Sequence, residues 1–199
     1  DLGGLHVRHD GGGSPSAASA GSSRAASTGA RRGVRLQRGT WQNTPVPLQS
    51  GSFTATFDAT PGAANMDGVA GLSNGPASAY PALAAAVRFN NTGRIDARNG
   101  GAFAAASAIP YSPGLAYRFQ LVVNPAARTY SAYVAQGSSP QQLIGKDFAF
   151  RSDSGAVQAF NNVGLLASAG SESVCNAFAA ATAPPADTTA PVIGGVSAA

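Results

Sequence analysis

The densest group of polar side chains with ligand-binding chemistry lies in the segment RFNNTGRIDARNG, over residues 88–100. Sugars present hydroxyl groups that need planar donors and acceptors, and Arg, Asn and Asp supply these in fixed geometry. Spacings of two place Arg94, Asp96 and Arg98 on one face if the segment forms a strand. The candidate ligand-binding residues here are Arg88, Asn90, Arg94, Asp96, Arg98 and Asn99.

The charge balance of this segment indicates which ligand it would suit. Two Arg against one Asp on the shared face leave a positive balance, which favours an acidic polysaccharide such as a uronate polymer. An Arg–Asp–Arg ladder can equally be an ordinary surface ion pair that contributes about 0–1 kcal/mol. A binding site and a structural ladder therefore both stay open.

Three aromatic side chains near turns could stack on the C–H face of a sugar: Trp41, Tyr80 and Tyr111. Trp41 stands at the edge of the first expected strand and could instead seal the fold. Tyr80 precedes Pro81 and Tyr111 follows Pro110, so both fall in loops, where a Tyr can also cover the core. All three are kept as candidate ligand-binding residues.

The elements that must position these residues are strands. Apolar residues alternate from Trp41 to Ala180, and turn residues recur between the runs, which is typical of an antiparallel all-β sandwich. The run YRFQLVVNPAARTYSAYVA has two alternating stretches around an Asn-Pro turn, which predicts a hairpin. We predict an all-β sandwich of about ten strands over residues 41–180, with no helix.

Composition changes at both ends of this region. Residues 1–40 are too poor in bulky apolar side chains to offset the entropy of ordering, so we expect a disordered tail rich in Gly, Ser, Ala and Arg. This tail holds six of the twelve Arg, but they lack interleaved aromatics, so nucleic acid is not the expected partner. Residues 181–199 are typical of a stiff Pro/Thr-rich linker that leads into a truncated next module.

The strand pattern carries a resemblance to a known family. Residues 41–180 resemble the laminin-G-like or concanavalin A-like jelly-roll domains of bacterial multidomain secreted proteins, through FTATFDATP, DGVAGLSNG, AVRFNNTGRIDARNG, YRFQLVVNPAARTYSAYV, and FNNVGLLAS followed by SVCNAF. The resemblance implies a jelly roll and further domains in the same chain. Separately, DTTAPVIGGVSA is similar to junctions that lead into fibronectin type III or Ig-like modules.

The supply of catalytic side chains argues against an enzyme. Jelly-roll glycoside hydrolases resemble one another in a strand motif with two Glu, whereas this chain has only Glu172, which we assign to a loop. Jelly-roll alginate lyases and Ser–His–Asp triads need a His, but both His precede residue 10. Cys175 is expected to be a buried strand residue. An Asp–Asp pair stays open, but we predict no catalytic residues and no enzyme.

Metal binding is a weaker expectation. Calcium takes six to eight oxygen ligands, and Asp67, Asn74 and backbone carbonyls of the glycine-rich turns could supply some of them. The chain has no Asp-x-Asp-x-Asp-Gly loop. We therefore predict no metal site and no cofactor, with Ca²⁺ as the alternative.

The family resemblance and the polar segment together suggest a function. We expect a non-catalytic carbohydrate-binding module of a larger exported bacterial protein, which binds a polysaccharide or cell-surface glycan. The alternative is a structural spacer or adhesion module without a small-molecule ligand. No leader peptide is visible after Asp1, so a secreted or cell-surface location is inferred from the resemblance. No apolar run approaches the roughly 18 residues that a membrane span needs.

Overall fold

The computed structural model describes residues 39–182, which form eleven strands and one 3₁₀ turn, Tyr80–Ala82. The predictions for the tail (1–40) and the linker with its following module (181–199) fall almost wholly outside these residues. The strands are β1 (Gln42–Gln49), β2 (Phe53–Pro61), β3 (Asp67–Ser73), β4 (Ala85–Phe89), β5 (Arg94–Asn99), β6 (Ala102–Pro110), β7 (Tyr117–Asn124), β8 (Thr129–Gln136), β9 (Gln142–Ala149), β10 (Phe160–Ala169) and β11 (Glu172–Ala181).

The strands pair into two antiparallel sheets. One has six strands in the order β1-β10-β3-β4-β5-β6, and the other has five in the order β11-β2-β7-β8-β9. This confirms the predicted all-β jelly-roll sandwich. The described residues hold eleven strands rather than about ten. Two of them give weak patterns, because β1 contains two Pro and β6 is mostly Ala.

The core lies between the sheets and follows from period-two alternation. In β2 every second residue is buried, which puts Phe53 and Phe57 inside, while Thr54 and Asp58 face outward. Phe53 meets Phe160 of the opposite sheet at a ring-centroid distance of 5.5 Å. A fully buried Phe contributes about 1.5–3 kcal/mol, so these rings hold the sheets together.

The predicted hairpin is present as β7 and β8. Its register runs from Tyr117 opposite Gln136 to Asn124 opposite Thr129. Asn124 Oδ1 accepts a hydrogen bond of 3.1 Å from the backbone N–H of Ala127, which closes the turn. The Asn-Pro signal therefore identified both the turn and the strand pairing.

A second, smaller apolar cluster covers the outer face of the six-stranded sheet. The loop between β3 and β4 lies over this face and packs Ala77 and Leu83 against Val69 and Ala86. The 3₁₀ turn in this loop has Pro81 in its first positions, where a missing N–H costs nothing. The prediction of no helix missed this single turn. None of residues 39–182 belongs to a helix long and apolar enough to cross a membrane.

The last strand differs from expectation at two residues. Cys175 is exposed, so the prediction that it is buried is wrong. The pairing of β11 with β2 shifts register between Cys175 and Phe178, and Asn176 has a positive φ of 54°. The shift interrupts the alternation that the sequence pattern assumed. Glu172 begins this strand rather than lying in a loop.

Candidate functional site

Alternation in β4 and β5 places the polar segment on the outer face of the six-stranded sheet. Val87 and Phe89 of β4 and Ile95 and Ala97 of β5 point into the core. The residues between them therefore face outward. These include Arg88 on β4 and Arg94, Asp96 and Arg98 on β5.

Asp96 is held by Arg88 on the neighbouring strand. The two residues are cross-strand partners, and Arg88 donates from Nε to Oδ1 at 2.9 Å and from Nη2 to Oδ2 at 2.7 Å. Asn90 Nδ2 donates a further bond of 2.8 Å to Oδ2. Burial lowers the pKa of Arg88, but the hydrogen bond and the charge of Asp96 outweigh it, so the pKa is raised. Asp96 and Arg88 thus form a fixed ion pair that joins β4 to β5.

Asn90 is used by the turn that follows β4. Its Oδ1 accepts hydrogen bonds from the backbone N–H groups of Thr92 and Arg94, both at 3.0 Å. The Thr92 hydroxyl donates to the same atom at 2.7 Å. The Nδ2 of Asn90 donates to Asp96, so both the oxygen and the nitrogen of the Asn90 amide make hydrogen bonds within the fold.

The ring of Phe103 on β6 lies close to two guanidinium groups. The Cζ of Arg88 is 3.9 Å from the ring centroid, and the Cζ of Arg98 is 5.3 Å from it. Such stacking contributes about 0.5–2 kcal/mol per pair. Burial lowers the pKa of Arg98, and the positive charges of Arg151 and Arg88 lower it further. The guanidinium group of Arg98 is therefore close enough to those of Arg88 and Arg151 for their charges to lower its pKa.

Arg151 and two aromatic rings complete the group. Arg151 Nε donates to Asp153 Oδ1 at 2.7 Å, and its Cζ lies 5.8 Å from the ring centroid of Tyr80. Trp41 meets Tyr80 edge to face at 5.6 Å. We call the surface formed by Tyr80, Arg88, Arg98, Phe103 and Arg151 the arginine groove. A cavity of about 230 Å³ in it is lined by Asp67, Val69, Tyr80, Arg88, Phe103 and Arg151.

The other candidate residues lie apart from this groove. Arg94 is exposed and lines a neighbouring depression with Asn90 and Asp96. Asn99 is also exposed, and its Oδ1 accepts a bond of 3.0 Å from Ala149 N–H on β9. The stacking role expected for Tyr111 is wrong. That side chain is buried in the core against Phe89, at a ring-centroid distance of 4.9 Å.

Sequence reasoning missed Phe103 and Arg151. Arg151 is far along the chain from the polar segment and follows the end of β9, whereas Phe103 lies only three residues beyond that segment. One signal was available for Phe103, since it is the only aromatic residue in AFAAASAIP. Nothing in the sequence around Arg151 indicates that it approaches Arg98.

Glu172 is a second feature that the sequence did not reveal. It pairs with Pro61 across the strands, so both side chains face the core. Its Oε2 has no hydrogen-bond partner among the described residues, and it lies so close to Gly68 of the opposite sheet that a Cβ there would collide with it. Burial raises the pKa of Glu172 well above its ordinary value, and the negative charge of Asp67 adds to the effect.

The alternatives based on carboxylates do not assemble into one site. Asp67 begins β3 and Asn74 follows its end, so seven strand residues put them roughly 20 Å apart, too far to share a calcium ion. Asp58 lies 3.8 Å from Arg118 on the outer face of the five-stranded sheet, while Asp96 is on the other sheet. Residues 39–182 contain no group of three or more His, Cys, Asp or Glu side chains that could hold a metal.

Comparisons with known proteins give one relative by sequence and a fold by structure. No family model matches the chain. The chain is 30% identical over 123 residues to a gellan lyase of a Bacillus species, which is 59% of this chain and 5% of that protein. A sialidase structure superposes with a TM-score of 0.50 at 12% identity, over 71% of this chain and 14% of the sialidase.

A third similar protein is the catalytic domain of a GH131 β-glucanase from Podospora anserina. It superposes with a TM-score of 0.48 at 10% identity, over 72% of this chain and 66% of that domain. At 12% identity the sialidase structure indicates a likeness of fold alone. The finer laminin-G-like assignment stays a prediction, and the fibronectin type III or Ig-like junction lies outside the described residues.

The prediction that the chain is not an enzyme is contradicted by these comparisons, because its sequence relative is a lyase. That prediction rested mainly on the absence of known Glu and His motifs, with an Asp–Asp pair left open, and it assigned Glu172 to a loop. The structure instead buries Glu172, and this burial raises its pKa. The chain spans only 5% of the length of that lyase.

Proposed function

We propose that this chain is the polymer-binding part of a polysaccharide-acting enzyme and that it binds the polymer at the arginine groove. The observation that carries the proposal is an open cavity lined by two aromatic rings and two guanidinium groups, those of Tyr80, Phe103, Arg88 and Arg151. A third guanidinium group, that of Arg98, lies beside Phe103. Aromatic rings offer faces for the C–H side of sugars, and guanidinium groups donate to their oxygens. The likeness to a gellan lyase supports a polysaccharide as the ligand.

A location outside the cell belongs to the same proposal. A polysaccharide chain is too large to enter a cell intact, so a protein that binds it must be exported to the cell surface or beyond. The chain aligns with only 5% of its lyase relative, which supports further domains in the parent protein as its covalent partners. If this chain is bound to the polymer, a covalently linked catalytic domain would meet its substrate at a higher effective concentration.

The test is a binding titration of the full chain against gellan, polygalacturonate, a neutral β-glucan and xylan. We expect at least one polymer to bind, and Phe103→Ala or Tyr80→Ala to weaken that binding by roughly three- to tenfold, the effect of one lost aromatic contact. Tyr133→Ala is the matched control. It removes a half-buried ring from the outer face of the five-stranded sheet, and it should leave affinity unchanged.

Two other outcomes would redirect the proposal. If no polymer binds, the spacer or adhesion interpretation replaces it. If Tyr133→Ala weakens binding as much as Phe103→Ala does, the arginine groove is not the binding surface. The same polymers should also be assayed for unsaturated and reducing-end products, because turnover by this chain alone would place catalysis within it.

A further inference from the structure

Two of the three guanidinium groups in the arginine groove are each paired with a carboxylate. Arg88 gives two nitrogens to Asp96, and Arg151 gives Nε to Asp153. The side chain of Arg98 makes one hydrogen bond, from Nε, and its acceptor is not a carboxylate but the neutral carbonyl of Gly100, at 2.9 Å. Its two terminal nitrogens have no hydrogen-bond acceptor in the part of the chain that the structure describes.

The position of Arg98 orients these free donors. Its Nε bond to the Gly100 carbonyl fixes the guanidinium plane, and the ring of Phe103 lies 5.3 Å from its Cζ. No carboxylate forms an ion pair with Arg98 among residues 39–182, although Arg88 and Arg151 each have one. An anion that entered the groove would therefore meet a guanidinium group with no carboxylate partner and with two terminal nitrogens that can donate.

This geometry matches a carboxylate better than a neutral hydroxyl. A guanidinium pairs with a carboxylate through two parallel hydrogen bonds, and such charge-assisted bonds are roughly twice as strong as neutral ones. Arg88 covers one part of the Phe103 ring, at 3.9 Å from the centroid, and Arg98 is farther away at 5.3 Å. A sugar residue that contacts the part of the ring left open can therefore bring its carboxylate to the Arg98 guanidinium. The pKa of Arg98 is lowered by burial and by the two neighbouring Arg, which a bound anion would relieve.

We infer that Arg98 recognises the carboxylate of a uronate residue and makes the arginine groove selective for acidic polysaccharides. The inference rests on the proposed function, because it needs a polymer in this groove. The ion pairs Arg88–Asp96 and Arg151–Asp153 form the sides of the groove. The guanidinium group of Arg98 distinguishes a charged sugar from a neutral one.

The test compares polygalacturonate with its methyl-esterified form, which keeps the sugar backbone and removes the charge. We expect the full chain to bind the free acid at least tenfold more tightly than the ester, and Arg98→Gln to abolish that preference. The conservative variant Arg98→Lys should retain part of it, since it keeps the charge without the planar fork. Arg118→Gln removes the same charge from the opposite sheet and is the matched control.

The outcomes separate this inference from the proposed function. Equal binding of acid and ester, with both lost in Phe103→Ala, would overturn carboxylate recognition and leave the groove as a polymer site. If Arg98→Gln and Arg118→Gln lose the same amount of affinity for the free acid, carboxylate recognition by Arg98 is overturned too, because net charge would then explain the binding. If neither form binds and no other polymer does, the proposed function itself fails. Melting temperatures near that of the wild type confirm that each variant is folded.

Discussion

Asp96 and Glu172 are both buried carboxyl groups, with relative exposures of 8% and 3%, yet their surroundings are opposite. Three nitrogens donate hydrogen bonds to Asp96, two from Arg88 and one from Asn90. The Oε2 of Glu172 has no hydrogen-bond partner among the described residues. Asp96 sits on the outer face of a sheet, where a long Arg stem can cover it, whereas Glu172 points between the sheets.

The difference shows that the surroundings of a buried carboxyl group decide which of its protonation states is favoured. An ionised carboxylate can be buried if cations and N–H donors replace its water, as they do at Asp96. Glu172 lacks them, so burial favours its protonated form. One carboxyl group therefore stabilises the fold through a charge, and the other does so only while it is neutral.

The largest expected effect comes from removing the partner of Asp96. Arg88→Met leaves a buried carboxylate with only Asn90 as a donor, and we expect the free energy of unfolding to fall by about 2–4 kcal/mol. Urea denaturation with a constant m-value measures this loss. Arg118→Met is the control, because its ion pair with Asp58 is 3.8 Å long and its side chain is 61% exposed. It should cost about 0–1 kcal/mol, and equal losses in both variants would contradict the comparison.

The second effect is a pH dependence that belongs to Glu172. Its pKa is raised on folding, so above the ordinary value of the unfolded chain the folded state binds more protons than the unfolded state. Stability is then fully present at acidic pH and falls by about 1.4 kcal/mol per pH unit until the folded-state pKa is passed. Glu172→Gln removes this slope, so its advantage over the wild type should grow as the pH rises.

Unfolding curves across that pH range measure the slope directly. Asp147→Asn, which removes an exposed carboxyl group, should follow the wild type throughout. A Glu172→Gln variant that also follows the wild type would mean that Glu172 ionises without cost, and the contrast with Asp96 would disappear.

The smallest effect tests the link between the two regions. The hydroxyl of Tyr111 accepts a hydrogen bond from Met66 N–H, which lies near Glu172, and donates one to the carbonyl of Asn90, which lies near Asp96. Tyr111→Phe should destabilise the chain by about 1 kcal/mol, because Met66 N–H loses its partner in the core. Tyr133→Phe is the control on an outer face. Thermal unfolding of both variants measures the difference, and an equally small change in both would show that the hydroxyl bonds contribute nothing.

The strands were predictable wherever large and small side chains alternate. Alternation in β2 and the Asn-Pro turn before β8 each report a local property, so the sequence was sufficient. β6 was harder, because a run of Ala gives no contrast between its two faces. Cys175 was assigned to the wrong side, since a register shift is set by pairing with β2 rather than by its own neighbours.

The candidate site was predictable only in part, and the reason is distance along the chain. The polar segment lies on two adjacent strands, so its members were found together. Arg151 reaches the same surface from the end of β9, which no local pattern encodes. Phe103 lies just beyond the segment and reaches this surface because it pairs with Arg98 across β5 and β6. The burial of Glu172 likewise depends on a sheet that packs opposite to it. Tyr111 was misplaced because a loop position does not say which way a side chain points.

The two prolines of β1 affect whether strands of neighbouring molecules can pair with this edge of the sheet. β1 is an outer strand of its sheet and pairs only with β10, and it carries Pro45 and Pro47. A strand with two prolines lacks two backbone donors, so it is a poor template for a strand from another molecule. This edge of the six-stranded sheet is therefore protected against edge-to-edge pairing when molecules are crowded together.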